Sequence, residues 1–258
     1  MGDGGWTIVG AGGVGRAFRW WLGAAGTRPQ IVGGRQAVPG WLKGLAAQAP
    51  GNVVLAVPDD AIEAVAGRMA EARRDWRGWS VVHTSGARDS SALRALADGG
   101  AKVGSVHPMM TFPRRGKVPS PRGVVFSVEG RVEGEARLPI RAWGGVELRL
   151  SAKQKAAYHA AATLVGPGAV AQLAAAEAVL AKAGVRGREL KAARKGLVGL
   201  LAATAKNLAG GPTAAAFTGP VARGDRATIA LQRRLLGRGP AGGLHAAQMR
   251  VGARLKKH

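Results

Sequence analysis

The stretch "WTIVGAGGVGRAF", residues 6–18, restricts the possible fold more than any other part of the chain. A short run of β-branched and aromatic residues ends in Gly10, Gly12 and Gly15, spaced G-x-G-x-x-G, and apolar residues at helical spacing follow. Between a strand and a helix each of these glycines has a task. The first permits a tight turn, the second lets the backbone approach a pyrophosphate, and the third lets helix and strand pack closely. Ala11, Gly13 and Val14 complete the loop, and the helix N-terminus faces the phosphate charge. A chain with 41 glycines produces this spacing easily by chance, so its weight comes from standing at the first strand-helix junction.

The rest of the first half supplies the series that such a junction requires. "WTIVG" (6–10), "QIVGG" (30–34), "NVVLAV" (52–57), "SVVHTS" (80–85) and "KVGSVH" (102–107) are strand-like and end at glycine, serine, proline or histidine. Between them lie "VGRAFRWWLGAAG", "WLKGLAAQ", "DAIEAVAGRMAEARR" and "SALRALADGG", with apolar residues at helical spacing. Continuous apolar strands alternating with helices predict a parallel sheet covered on both faces. A Pro-rich basic loop, 114–122, leads to a further strand pair, "GVVFSVEG" and "GGVELRL". From Ser151 the pattern changes, with "SAKQ" able to form a capping box and helices expected over 152–184, 187–209, 224–236 and 243–256. The expected fold is therefore α/β: a Rossmann-like, doubly wound, mostly parallel sheet over 1–150, then an all-helical domain over 151–258.

The second strand selects among dinucleotides. An NAD site usually ends that strand with an acid on the ribose hydroxyls. Here "IVGGRQ" offers no acid but places Arg35 directly after Gly34, and a guanidinium suits an adenosine 2′-phosphate. One charge-assisted hydrogen bond contributes about 1.5–3 kcal/mol, enough to prefer NADP(H) over NAD(H) by one to two orders of magnitude. Val57-Pro58 close the third strand, with Asp59 expected as a helix N-cap, and this loop should border the nicotinamide ribose.

Charge and cysteine content limit the setting. The net charge is +23, and after Glu189 the only acid is Asp225 among thirteen Lys and Arg. Such a surface attracts phosphates and carboxylates. Nucleic acid is a weaker expectation, because Phe217 is the only aromatic residue after Tyr158 and stacking platforms are missing. The absence of cysteine fits a reducing cytoplasm, and the N-terminus lacks the basic region of a signal peptide. The apolar run "AAATLVGPGAVAQLAAA" is expected to be a core helix rather than a membrane span. The histidines are too scattered for a zinc site, so no metal is expected.

"IVGAGGVG", "VVLAVPDDAI", "VVHTSGARDSSAL", "GAKVGSVHPMMTFP", "KAAYHAAA" and "FTGPVARGD" together resemble a bacterial family in which a Rossmann-like NADP-binding domain precedes a helical domain of unknown function. More distantly the chain is similar to pyrroline-5-carboxylate reductase, deazaflavin-dependent NADP reductase, ketopantoate reductase and prephenate dehydrogenase. The resemblance implies a homodimer through the helical domain, which closes over the nicotinamide. Prephenate dehydrogenases carry a serine at one strand end and His-Pro at the next, serving the substrate hydroxyl; here these are Ser85 and His107. The chain departs from the family at Gly166-Pro167, where a Ser-Asn pair is usual, and at Gln232, where a histidine is common.

Ligands of open α/β sheets lie beyond the carboxyl ends of the strands, where His83, Ser85 and His107 fall. An imidazole, with an ordinary pKa near 6.5, suits proton exchange with a carbonyl, imine or hydroxyl. His107 with Ser85 is the expected catalytic pair. Tyr158 and His159 occupy adjacent faces of one helix, so at most one is expected to face the cleft, and His159 is a further catalytic candidate. His83, Asn207, Thr218 and Arg223 are candidates for binding substrate, Arg223 through a bidentate contact to a carboxylate. The expected activity is an NADP(H)-dependent oxidoreductase acting on a small anionic carbonyl, imine or hydroxy acid. The rival is a sensor that binds NADP(H) without turnover.

Overall fold

The structure is a computed structural model that describes residues 5–113, 116–131 and 138–255, except for the side chains of residues 34–37. The strands are β1 (Trp6–Val9), β2 (Gln30–Val32), β3 (Asn52–Leu55), β4 (Ser80–His83), β5 (Lys102–Pro108), β6 (Val125–Gly130) and β7 (Val146–Arg149). They form one sheet in the order β2-β1-β3-β4-β5-β6-β7, parallel through β5. β6 runs antiparallel to β5, and β7 is parallel to β6. The helices of this part are α1 (Gly13–Ala24), α2 (Gly34–Leu45), α3 (Ile62–Ala72) and α4 (Arg94–Asp98).

Side chains of successive strand residues point to opposite faces, which sorts the apolar runs into two cores. Val9, Val53, Leu55 and Val81 pack with Trp41, Leu45, Ile62, Met69 and Trp76 on one face. Ile8, Val54, Val82 and Val106 pack with Phe18, Trp21, Phe126 and Trp143 on the other. Each large apolar side chain buried in this way contributes about 1.5–3 kcal/mol. The chain order reverses direction between β1 and β3, so the crevice for a ligand opens beyond Val9 and Leu55.

α5 (Ala152–Lys182), α6 (Gly187–Ala209), α7 (Pro220–Arg223), α8 (Arg226–Leu236) and α9 (Pro240–Leu255) follow. The chain divides into two compact units, Met1–Thr163 and Leu164–His258, so the first turns of α5 belong to the first unit. Gln154 Oε1 accepts from the Ser151 amide at 2.8 Å, which is the returning half of the expected capping box. The Ser151 hydroxyl also turns to Gln154 Oε1 (2.9 Å) instead of capping the helix itself. In the second unit Asp225 caps α8 through the Thr228 amide (3.0 Å) and hydroxyl (2.6 Å).

One expectation about this helix is corrected. α5 continues through Gly166 and Pro167, and its apolar run is not core: Leu164, Val165 and Val170 are 77%, 75% and 69% exposed. The proline removes one backbone hydrogen bond, which a helix of 31 residues tolerates. By length and composition α5 is the one helix among the described residues that could cross a membrane.

Candidate active site

The glycine loop separates its structural tasks from its open one. Gly10 has φ +116°, and a Cβ there would lie 2.2 Å from the Ala56 carbonyl oxygen. A Cβ on Gly15 would lie 1.8 Å from the Gly10 carbonyl oxygen. Gly12, the N-cap of α1, has an ordinary extended backbone (φ −67°, ψ −174°), and nothing lies within 4 Å of where its Cβ would be. Neither conformation nor packing requires glycine at this exposed position. No side-chain hydrogen bond caps α1 at this exposed N-terminus. That is what a phosphate against the backbone needs.

Around this loop, a Cβ on Gly33 would come 2.6 Å from Ala11 Cβ, so the end of β2 approaches the loop closely. Gly34 and Arg35 open α2, and their side-chain positions lie outside the described residues. Phe112, beyond the end of β5, packs on Gly13, where a Cβ would lie 3.0 Å from Phe112 Cβ. Val57 packs against the first core. The residue entering the short helical turn Asp59–Ala61 is Pro58, so Asp59 is not an N-cap. Asp59 lies inside the turn, and its Oδ2 accepts from the Ser85 hydroxyl at 2.7 Å.

His83 and Ser85 are committed to the local backbone. The Ser85 amide donates to His83 Nδ1 at 3.2 Å, so the ring proton is on Nε2, which donates to the Asp89 carbonyl at 2.9 Å. His83 is fully buried, its pKa is pushed down by that burial, and no polar atom remains for a ligand. The Ser85 hydroxyl accepts from the Ala87 (3.2 Å) and Arg88 (3.0 Å) amides besides donating to Asp59.

His107 is half-buried and stands among groups from α5. Its Nδ1 lies 3.1 Å from the Tyr158 hydroxyl, and the His159 ring meets it edge-on with centroids 5.8 Å apart. Both neighbours therefore face His107, against the expectation that at most one would. Gly86 makes room: a Cβ there would lie 3.0 Å from His107 Nε2 and 2.4 Å from His159 Cδ2. Beneath them Lys155 is fully buried, donating to the Ser85 carbonyl (2.9 Å) and the Ser105 hydroxyl (2.7 Å). Gly86 follows the serine of "HTSG" directly, and Lys155 precedes Tyr158 and His159 by three and four residues, one turn of helix; these spacings were the only signals of either role.

Burial lowers the pKa of His107 to about 4; the charges of Lys155 and His159 add to this and Asp59 opposes it. Burial likewise lowers Lys155 to about 8 against the pull of Glu129, Asp59 and Asp89. The Tyr158 phenol is raised by burial. At neutral pH the His107 imidazole is thus uncharged, able to take a proton or to share a hydrogen bond. A stability prediction follows. Unfolded His107 binds a proton near its ordinary value while the folded ring stays neutral, so stability rises as pH climbs from about 4 to 6.5. Urea midpoints across this range check it, and His107→Asn should reduce the slope.

The remaining candidates lie in the second unit. Asn207 on α6, Thr218 before α7 and Arg223 at its end are all exposed. Gln232 on α8 faces His245 of α9, Oε1 to Nε2 3.2 Å. Among the described residues no cluster could hold a metal ion.

A Rossmann-like sheet followed by an all-helical region is a fold with known representatives. Residues 124–246 match a family described as a domain of unknown function (DUF2520). The chain is similar to protein TM1727 from Thermotoga maritima (20% identity, 98% of each chain, TM-score 0.69). It is also similar to BF3122 from Bacteroides fragilis, provisionally named an NADP oxidoreductase (20% identity, 98% of each chain, TM-score 0.72). A reductive aminase from Aspergillus terreus, solved with NADPH and ethyl levulinate, shares the fold at 18% identity, 97% and 95% coverage and TM-score 0.58. No curated protein matches. At these identities the likeness establishes the fold.

Proposed function

We propose that this chain is an NADP(H)-dependent oxidoreductase acting on a small anionic carbonyl, imine or hydroxy acid. The observation that carries the reading is Gly12, a glycine with ordinary dihedrals and open space at the N-terminus of α1. In this reading the Gly10–Gly15 loop holds the pyrophosphate, Gly34 and Arg35 the adenosine 2′-phosphate, and Val57-Pro58 border the nicotinamide ribose. The bound dinucleotide supplies or accepts hydride.

The residues of the first unit manage the proton. With the ring proton on Nδ1, toward the Tyr158 oxygen 3.1 Å away, His107 presents Nε2, beside Gly86, as the acceptor. Nε2 takes the hydroxyl proton of a substrate being oxidised and returns it, as imidazolium, to a carbonyl being reduced. Ser85 and Asp59 fix the turn that carries Gly86. An anionic substrate fits this site because negative charge near the ring raises its proton affinity, offsetting burial and Lys155. The exposed apolar side chains of α5 support pairing of the second unit with a second copy of the chain.

Calorimetry with NADPH and NADH, followed by NADPH oxidation in the presence of small 2-keto acids and imines, tests the proposal. NADPH should bind one to two orders of magnitude more tightly than NADH, and Arg35→Ser should erase the difference. Normal NADPH uptake with inactivity across a broad panel would leave the sensor in place of the enzyme.

A further inference from the structure

A charge buried in a protein interior is expensive, and the expense needs a reason. Lys155 is fully buried, yet the structure around it gives folding no evident need for an ammonium. The chain entering α5 is already held by Gln154 Oε1 on the Ser151 amide, a bond that does not involve Lys155. The Ser105 hydroxyl already donates to the Ser85 carbonyl at 3.0 Å, a bond that an apolar side chain of similar length at 155 would leave in place. The nearby carboxylates have other partners. Glu129 receives the Ser90 amide (2.7 Å) and hydroxyl (2.9 Å), and Asp59 receives the Ser85 hydroxyl.

The placement does serve the site. Ser105 and His107 are two residues apart on β5 and share one face of the sheet. Lys155, Tyr158 and His159 stand at i, i+3 and i+4 on α5 and share one face of the helix. The two columns meet twice, at Lys155–Ser105 (2.7 Å) and at Tyr158–His107 (3.1 Å). A second bond from Lys155, to the Ser85 carbonyl, brings in the end of β4 and the turn bearing Gly86.

We propose that Lys155 is the positioning residue of this site: its buried ammonium pins the first turn of α5 to the ends of β4 and β5 and so sets Tyr158 and His159 against His107. The activity part of this inference rests on the oxidoreductase reading; the positional part does not. The charge has a second effect. The charged and titratable groups facing His107 are Lys155, Tyr158 and His159 from α5 and Asp59 from the turn after β3. Of these, Lys155 contributes most, after burial, to keeping the ring deprotonated. Glu129, Asp59 and Asp89 in turn hold the proton on Lys155.

The test uses Lys155→Met and Ser105→Ala in the full chain, with two readouts. NMR follows the titration of the His107 ring, and steady-state assays separate kcat from the KM for NADPH. Lys155→Met should move the His107 titration to higher pH. It should also lower kcat on the order of tenfold to a hundredfold with the NADPH KM unchanged, the loss expected from a misplaced reacting group. A variant with parental titration and parental kcat, altered only in its unfolding midpoint, overturns the proposal. Should Lys155→Met not fold, Ser105→Ala decides, since it keeps the charge and removes one anchor: a lowered kcat at unchanged NADPH KM supports the proposal, and a parental kcat overturns it. If the parent chain itself turns over no substrate, the oxidoreductase reading fails, yet NMR contacts from the His107 ring to Tyr158 and His159, lost or kept in Lys155→Met, still decide the positional inference.

Discussion

Gly12→Val is expected to weaken NADPH binding by more than about a hundredfold, equivalent to about 2.7 kcal/mol, while leaving the unfolding midpoint unchanged. The backbone at Gly12 is extended, a conformation any residue adopts, and an added side chain meets no protein atom within 4 Å of its Cβ. The new branched carbons would instead occupy the space in front of the α1 amides, where a pyrophosphate must come closest to the chain. Gly10→Ala and Gly15→Ala provide the contrast. Their Cβ atoms would sit 2.2 and 1.8 Å from backbone carbonyl oxygens, and Gly10 also holds a φ of +116°. Both should lower the unfolding midpoint, with binding lost only as a consequence. Calorimetric titration paired with thermal unfolding separates the two kinds of glycine. Parental affinity in folded Gly12→Val would remove the nucleotide from that loop.

The same contrast explains what was legible in the sequence. Strands β1, β3 and β4 could be read because each is a continuous apolar run, and such runs survive only when both faces are covered. The glycine loop could be read because its spacing falls at the junction of the first strand and the first helix. α2 begins at Gly34, before the apolar stretch that marked it, because Gly40 and Pro39 hide the helical period in its first half. The exposed run of α5 could not be told from a buried one, since composition alone does not say what packs against a helix. His83 was a fair candidate from its strand-end position. What removes it from ligand contact is the Asp89 carbonyl and the Ser85 amide, backbone groups that no side-chain pattern announces. Lys155 was hidden for the converse reason: "SAKQKAAYH" looks like a solvated helix start, and only the closure of α5 on β5 carries its ammonium inside. Residue spacing thus placed His107 at a strand end, while the groups that set its charge state depended on tertiary contacts.

Those contacts give the second large effect a definite sign. His107→Asn is expected to reduce turnover by roughly a hundredfold or more, the usual loss when a general acid-base group is removed. NADPH affinity should be unchanged, because His107 lies at the end of β5 and not in the glycine loop. Since the ring's pKa is lowered to about 4, the free protein holds neutral imidazole throughout the range in which most assays are run. Oxidation of a hydroxy acid needs that neutral form, so kcat/KM should fall only toward pH 4 and stay level from about pH 5.5 to 7.5. Reduction of the matching keto acid needs the imidazolium, whose share falls about tenfold per pH unit above its pKa, so kcat/KM should decline steadily over the same interval. Tyr158→Phe, which removes the partner of Nδ1, should cause a smaller loss than His107→Asn. Profiles of kcat/KM against pH in both directions test the scheme. Breaks near 6.5 in both would mean that burial and Lys155 do not control the ring, and parental turnover in His107→Asn would mean that the imidazole handles no proton.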